Sequence, residues 1–511
     1  MKKVLLIVID ALSARVVDPA LALGKLPNLR QLQEQALRAD SIAVFPSITP
    51  AATSSIATGR YPREHGISGA YWYLPAEKTV VYYGYDIWAI LEEGIGSFID
   101  DFLVQLNETH LQASTIFQTV DASGKRAASL NYLIFHGEWA HPLHEPLLLK
   151  LIPGAPSQQT LHGPALLYFG DFVSTPFGND KTDITAPGGM THRYGFADDN
   201  TGALLVEMAK RHAFPDFTLA YFPDNDFRSH EVGPEAALAE LAETDAILGE
   251  AFAAYGGLEQ VLQDLCIVIT GDHSQSDVVN QPDLAGIRLD HLLADFAVAD
   301  AGTPMSDEDD LVVCPNLRTA QIYFHTPTPP RLQRVMDALL ADTRIDQVLW
   351  SAGLFSPDAR GFHVRTRDRG ELHFWPGADG PNTAIDVHGR QWSWQGNLRT
   401  VDGSVSKAGV LVFDEYPNAF ERIAGVLPLA EAGHLWITSR PGHEFCLAHT
   451  KLHVGGGSHG SLHALDSISP LWVAGAPAGL VLPPQPRSVD LVPLCLTMLG
   501  ITPDRTPGAP A

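Results

Sequence analysis

The run Val4-Leu5-Leu6-Ile7-Val8-Ile9, stopped by Asp10, constrains this chain more than any other feature. Its apolar residues do not alternate with polar ones, so the segment reads as a strand covered on both faces, as in a parallel sheet enclosed by helices. Leu265-Cys266-Ile267-Val268-Ile269-Thr270 follows the same pattern and is stopped by Gly271-Asp272-His273, and residues 217–222 form a third run of this kind. Helical spacing lies between them. Residues 28–38 and 235–254 carry apolar side chains at helical intervals, and Gly233-Pro234 is a start signal for the second. Alternating strand and helix predict an α/β fold, a doubly wound, mainly parallel sheet flanked by helices. In such sheets ligands sit beyond the carboxyl ends of the strands, where Asp10, Asp226, Asp272 and His273 fall.

With 511 residues, 45% of them hydrophobic, the chain can bury a large core, either as one elaborated domain or as a domain with a sizeable insertion. Residues 138–200 are rich in Pro, Gly, His and aromatics and have little periodicity, which suggests a long loop or cap over the site. From Ala320-Gln321-Ile322-Tyr323-Phe324 to about 430, strand-like pieces and a helix near 330–341 suggest a small inserted α+β lobe. The expected organisation is a core over 1–319 that includes the cap-like insertion, a lobe over 320–430, and a closing part over 431–511. That closing part holds a strand at 470–474 and a Pro-rich tail after Gly500.

The formal charge of -25 disfavours a nucleic-acid duplex or an anionic membrane as partner, and leaves any positive pocket to be made by metal ions. It also serves solubility alone. No window reaches the length of apolar chain that a membrane span needs. Met1-Lys2-Lys3 resembles the start of a secretory signal, but the run behind it breaks at Asp10 without a small-residue cleavage site; a cytoplasmic location is the expectation. Cys266, Cys314, Cys446 and Cys495 are far apart and show no metal-type pairing, which fits a reducing compartment.

Phe45-Pro46-Ser47-Ile48-Thr49-Pro50, followed by Thr58-Gly59-Arg60-Tyr61-Pro62 and His65-Gly66-Ile67, reads as a hydroxyl nucleophile beside a bound metal. A neutral threonine is a poor nucleophile, and metal coordination is one of the few ways to activate it. Prolines on both sides of Ser47-Ile48-Thr49 help fix the loop that presents it. Asp and His clusters that can ligate divalent cations recur at Asp10, at Asp226 to His230, at Asp272-His273 and at Gly457-Ser458-His459-Gly460. Each has a plainer explanation when taken alone: Asp10 as a helix cap, Thr49 as a loop threonine, Asp272-His273 as a strand end. His459 competes with His453 and His463, and Asp224 competes with Asp226 as a ligand, or serves as an outer acceptor or a turn residue.

In order and content these motifs resemble the nucleotide pyrophosphatase/phosphodiesterase (type I phosphodiesterase) branch of the alkaline phosphatase superfamily, over roughly 1–300 and 430–500. The resemblance implies that Asp10, Thr49, Asp272 and His273 hold one divalent ion and that Asp226, His230 and His459 hold a second. Zinc is preferred on ligand type, with manganese or iron also accepted. It further implies that Thr49 attacks phosphorus to form a covalent intermediate, and that the substrate is a small phosphate ester or nucleotide. The family spacing selects Asp226 over Asp224 and, with the flanking Gly460, favours His459. One position departs from the pattern. Ala70, in Ser68-Gly69-Ala70-Tyr71, stands where such phosphodiesterases carry an Asn that donates to a phosphoryl oxygen. Contacts of that type are worth about 3 kcal/mol, so its loss points to slower chemistry, another ester type, or help from a neighbour such as Tyr71. Phosphomonoesterase, phosphonate hydrolase and phosphotransferase activities share the scaffold; a monoester calls for an added cation, with Arg60 and Lys181 as candidates. A silent phospho-ligand-binding protein is the alternative of another class. His136, His141, His144, His162 and His192 are expected at the surface or in packing, and Tyr71, Trp72, Tyr73, Tyr82 and Tyr83 either pack or form a substrate platform.

Overall fold

The computed structural model describes residues 2–83, 99–143, 160–175, 188–300, 303, 305–356, 358–448 and 450–508. The three apolar runs are adjacent strands. Lys3–Ile9 lies at the centre of an eight-stranded sheet, with Leu265–Thr270 on one side and Phe217–Phe222 on the other, both parallel to it. Ala127–Leu130 and Leu166–Phe169 continue the parallel set, and Val173–Ser174 ends that edge antiparallel. On the opposite edge Ile468–Ala474 and Ala36–Ile42 run antiparallel. The register aligns Ile9 with Phe222 and Val8 with Thr270, so Asp10, Pro223 and Gly271 all emerge at one end of the sheet.

Alternate residues of these strands enter different cores, which is why the runs have no polar face. Val4, Leu6, Val8, Leu219 and Val268 pack with Ile56 of the Thr49–Thr58 helix and with Phe117 and Leu494. Leu5, Ile7, Ile9, Phe222 and Ile269 pack with Leu29, Leu205 and Leu248 of helices on the other face. Each such side chain contributes about 1.5–3 kcal/mol on burial, enough to hold both helical layers against the sheet.

The second expected helix spans Leu238–Tyr255 and ends at Gly256, whose φ of 113 a side chain would resist. The first stops early. Pro27–Gln33 is helical, but Ala36–Ile42 is an edge strand paired with Ile468–Ala474. Sheet pairing overrides the helical spacing there, and Arg38 and Asp40 keep the edge polar. Within 138–200, Leu166–Phe169 and Val173–Ser174 join the main sheet, while Trp139–Pro142 and Thr160–Gly163 form a separate hairpin. Residues 144–159 and 176–187 of that stretch, with His144 and Lys181, lie outside the described residues.

A second, ten-stranded sheet takes strands from Leu311–Asn316 to Leu435–Ser439 and is antiparallel except where Asn382–Asp386 meets Val410–Phe413. The helix Pro329–Leu340 packs on it through Leu332, Val335 and Leu339. No helix among the described residues is long and apolar enough to cross a membrane, and the four cysteines are buried and free.

Candidate active site

Asp10 follows the central strand directly. The next residue, Ala11, has a φ of 53, and this left-handed turn directs its N–H at Asp272 Oδ1, 3.2 Å away. The His273 N–H donates to the same oxygen at 2.9 Å. Asp272 Oδ2 and Asp10 Oδ1 are buried with no hydrogen-bond partner, and His273 Nε2 lies 3.6 Å and 3.5 Å from them. Thr49 Oγ1 is 3.1 Å from the same His273 nitrogen. Thr49 opens the Thr49–Thr58 helix and so stands at the positive end of its dipole, which favours a developing or bound anion.

Asp226 and His230 lie one helical turn apart on Asp224–Val232, the helix that leaves the Phe217–Phe222 strand. His230 Nε2 is 3.4 Å from Asp226 Oδ2 and 3.2 Å from His459 Nε2, and His459 Nε2 is 3.8 Å from Asp226 Oδ1. The His273 and His459 rings stack at 3.8 Å and join the two groups. In each of the three histidines Nδ1 meets a backbone carbonyl: Ser274 for His273, Gly457 for His230, Ser47 for His459. A neutral imidazole whose Nδ1–H donates in this way presents its Nε2 lone pair to the centre, the arrangement of a metal-ligating histidine.

The electrostatics favour a cation. Burial, then the charges of Asp272 and Asp226, push the Asp10 carboxyl well above the usual range. Burial raises Asp272 as well. For Asp226 burial also acts upward, but His230 and His459 outweigh it and hold the carboxyl down. Burial and His273 push His459 well down, toward the neutral form that ligates. Ligand atoms of Asp10, Asp272 and His273, and of Asp226, His273 and His459, each lie within 4.8 Å of one another. At His230 burial acts downward, but the Asp226 carboxylate and its hydrogen bond outweigh it and raise the value, so bringing in a cation there also displaces a proton. Buried orphan carboxylate oxygens beside imidazole Nε2 atoms fit divalent ions of the zinc, manganese or iron type.

The competing residues are engaged elsewhere. Asp224 pairs with Arg193 at 2.5 Å and accepts from the Asp198 N–H. His453 pairs with Glu444 at 3.0 Å and His463 with Glu415 at 2.8 Å. His141 meets the Pro164 carbonyl, and His162 pairs with Glu108. Tyr71, Trp72, Tyr73 and Tyr83 are buried in packing. Ala70 packs with Ile48 and Leu317. Its N–H and that of Tyr71 both donate to Asn316 Oδ1, at 2.8 and 3.0 Å, while Asn316 Nδ2 donates to the Tyr71 and Cys314 carbonyls. Asn316 therefore holds the loop, with its carboxamide oxygen and nitrogen both engaged by backbone groups.

Sequence reasoning missed several supports. The Tyr221 hydroxyl donates to Asp10 Oδ2, Gln275 Nε2 donates to Asp226 Oδ1, and Asn225 Nδ2 donates to the Asp10 carbonyl at 2.8 Å. Arg318, fully buried, donates its N–H to the His459 carbonyl at 3.0 Å and its guanidinium to Asp466, which in turn accepts from Ser461. Thus the second sheet fixes the loop that carries His459. The only signal for Tyr221 was a hydroxyl inside an apolar run, and none marked Arg318.

Fold and site together define an α/β protein with a double carboxylate–histidine cluster around a helix-borne threonine. The family model for type I phosphodiesterase / nucleotide pyrophosphatase matches residues 4–461, and the chain belongs to that family. Phosphoester hydrolysis is the class of chemistry this membership supports. Among solved structures, phosphonoacetate hydrolase from Sinorhizobium meliloti 1021 with phosphonoformate is similar, at 16% identity and a TM-score of 0.56, over 98% of this chain and 96% of that one. Murine ectonucleotide pyrophosphatase / phosphodiesterase 5 is similar at 14% identity and a TM-score of 0.53, over 99% and 97%. Its inactive form in complex with AMP has a TM-score of 0.55 at 13% identity, over 99% and 97%. At these identities the likeness is one of fold, alkaline phosphatase-like. No curated protein matches.

Proposed function

We propose that the protein is a metal-dependent hydrolase of phosphate esters, acting on phosphodiester or pyrophosphate bonds through a phosphothreonine on Thr49. The observation that carries the reading is the convergence of Asp10, Asp272 and His273, and of Asp226, His230 and His459, on the buried space in front of Thr49 Oγ1. Asp10, Thr49, Asp272 and His273 would hold one divalent ion, and Asp226, His230 and His459 the other. Two such ions supply activation of the attacking hydroxyl and neutralisation of charge on the phosphoryl group.

The protein's own residues orient the reaction. Pro50 and the start of the helix fix Thr49, and Ser47 ties its loop to His459 by accepting from the imidazole and donating to the Ser461 carbonyl. Thr49 Oγ1 forms a bond to phosphorus as the bond to the leaving oxygen breaks. Water then attacks the phosphothreonine, releasing the phosphoryl group and restoring the hydroxyl. Among the described residues the candidate cation Arg60 is engaged by Asp504 and Glu64, so it adds no charge for a monoester.

Thr49→Ala is expected to lower bis-p-nitrophenyl phosphate turnover by about three orders of magnitude or more while the variant retains its metals. Parent-like hydrolysis by that variant would overturn the nucleophile assignment. Parallel rates on p-nitrophenyl phosphate and a phenyl phosphonate separate diesterase from monoesterase and phosphonate hydrolase.

A further inference from the structure

Arg422 is fully buried, and among the described residues it forms no ion pair with a carboxylate. Its donors meet uncharged oxygens instead. Nη1 donates to the carbonyls of Pro417 and Leu462 at 3.2 and 2.8 Å. Nη2 donates to the Ser467 hydroxyl at 2.7 Å, to the Val44 carbonyl at 3.2 Å and to the Ser461 carbonyl at 3.5 Å. Val44 begins the segment that runs through Phe45-Pro46 to Thr49, and Ser461 and Leu462 follow His459-Gly460. A buried charge is tolerated only where its geometry is good and its donors are matched, so these oxygens are held in fixed places around one guanidinium.

The helix Ala419–Ala424 presents Arg422 in this way. Its Glu421, also buried, accepts from Arg487 Nη1 at 2.6 and 2.8 Å, and Arg487 Nη2 donates to Asp490 at 2.8 Å, which anchors the helix. Phe420 and Ile423 pack with Phe45 and Leu462, the neighbours of Val44 and Ser461. One short helix thus touches the nucleophile loop and the His459 loop through both apolar and polar contacts.

The geometry points to Arg422 as a positioning residue that sets how Thr49 stands against His459; the inference rests on the phosphoester reading above. Ser47 makes the direct tie between the loops, accepting from His459 Nδ1 at 2.7 Å and donating to the Ser461 carbonyl at 2.9 Å. Arg422 holds that same carbonyl from behind, together with Val44 on the other loop. A planar guanidinium fixes several oxygens at once, whereas a lysine ammonium on a flexible stem does not. Misplacing a reacting group by about 1 Å costs about 100-fold in rate, so a clamp behind the two loops is read out in turnover.

The test compares Arg422→Lys with Leu339→Ala in the metal-loaded full chain. Leu339 lies on the Pro329–Leu340 helix, in a core cluster that contains neither loop. Arg422→Lys is expected to lower kcat on bis-p-nitrophenyl phosphate by about tenfold or more, counted per chain that holds two ions, with KM within about twofold. Ser467→Ala removes one acceptor and keeps the guanidinium; it is expected to lower kcat about threefold in the same pattern, and decides the matter where the lysine variant does not fold. Leu339→Ala is expected to lower Tm with kcat within about twofold. Parent-like kcat in both loop variants overturns the proposal, as does an equal loss of kcat in Leu339→Ala, which would mark general loosening. If the parent protein hydrolyses no phosphate ester, the phosphoester reading fails instead, and backbone hydrogen exchange decides the clamp. Faster exchange over 44–49 and 459–467 in Arg422→Lys but not in Leu339→Ala upholds it, and unchanged exchange there overturns it.

Discussion

Tyr221 and Gln275 each hold one oxygen of a carboxylate, Asp10 and Asp226, and so fix the direction in which the other oxygen points. Outer hydrogen bonds of this kind typically change metal affinity by about 10–100-fold. Tyr221→Phe is therefore expected to weaken metal binding by about that factor with little change in fold, measured by competition with a chromophoric chelator. Unchanged affinity would show that the hydroxyl does not orient Asp10. At this scale the Asp and His residues that gather near Thr49 were legible in the sequence, because Asp and His at strand ends are few. Their supports were not. Tyr221 looks like any strand aromatic, and Gln275 like any polar loop residue, until the register places them against Asp10 and Asp226. The role of Asn316, 246 positions from Ala70 in the chain, was not legible either.

Among the elements, the loop that carries His459 depends on a buried ion pair. Arg318 and Asp466 are fully buried, and removing one partner strands the other charge. Asp466→Ala is expected to cost about 3–5 kcal/mol in denaturant unfolding and to loosen the second ion, whereas exposed pairs such as Arg30 with Glu34 contribute less than about 1 kcal/mol. Asn316→Ala removes the acceptor that the buried N–H groups of Ala70 and Tyr71 share, at about 1–3 kcal/mol. Stability within error of the parent in either variant would contradict these assignments. The strands that bear the site were legible because burial on both faces removes every polar position from them. The helix expected over 28–38 was half right, since Leu29 and Leu32 carry the periodicity but pairing with Ile468–Ala474 decides the rest. Pairing between distant segments leaves little local trace.

For the molecule as a whole, the fold class follows from alternating runs and spacings, but the order of the strands and the extent of the second sheet depend on contacts between remote residues. Burial of three carboxylates in one site links stability to pH. Asp10 and Asp272 have folded-state values raised above the unfolded ones, first by burial, so the metal-free protein binds their protons more tightly when folded. Its stability then falls as pH rises from the ordinary carboxylate value through the raised values, and a bound cation cancels that loss. The difference in Tm between metal-loaded and metal-free protein is expected to grow as pH rises above the ordinary carboxylate range. A constant or shrinking difference would contradict the shared burial of these groups with a cation.

The most direct measurement is the metal content of the reconstituted protein and its ligand variants by plasma mass spectrometry. The seven side chains proposed as ligands predict about two divalent ions per chain, falling to about one in Asp10→Asn and, separately, in His459→Ala. Fewer than one ion in the parent protein, or unchanged content in both variants, would contradict the two-ion centre.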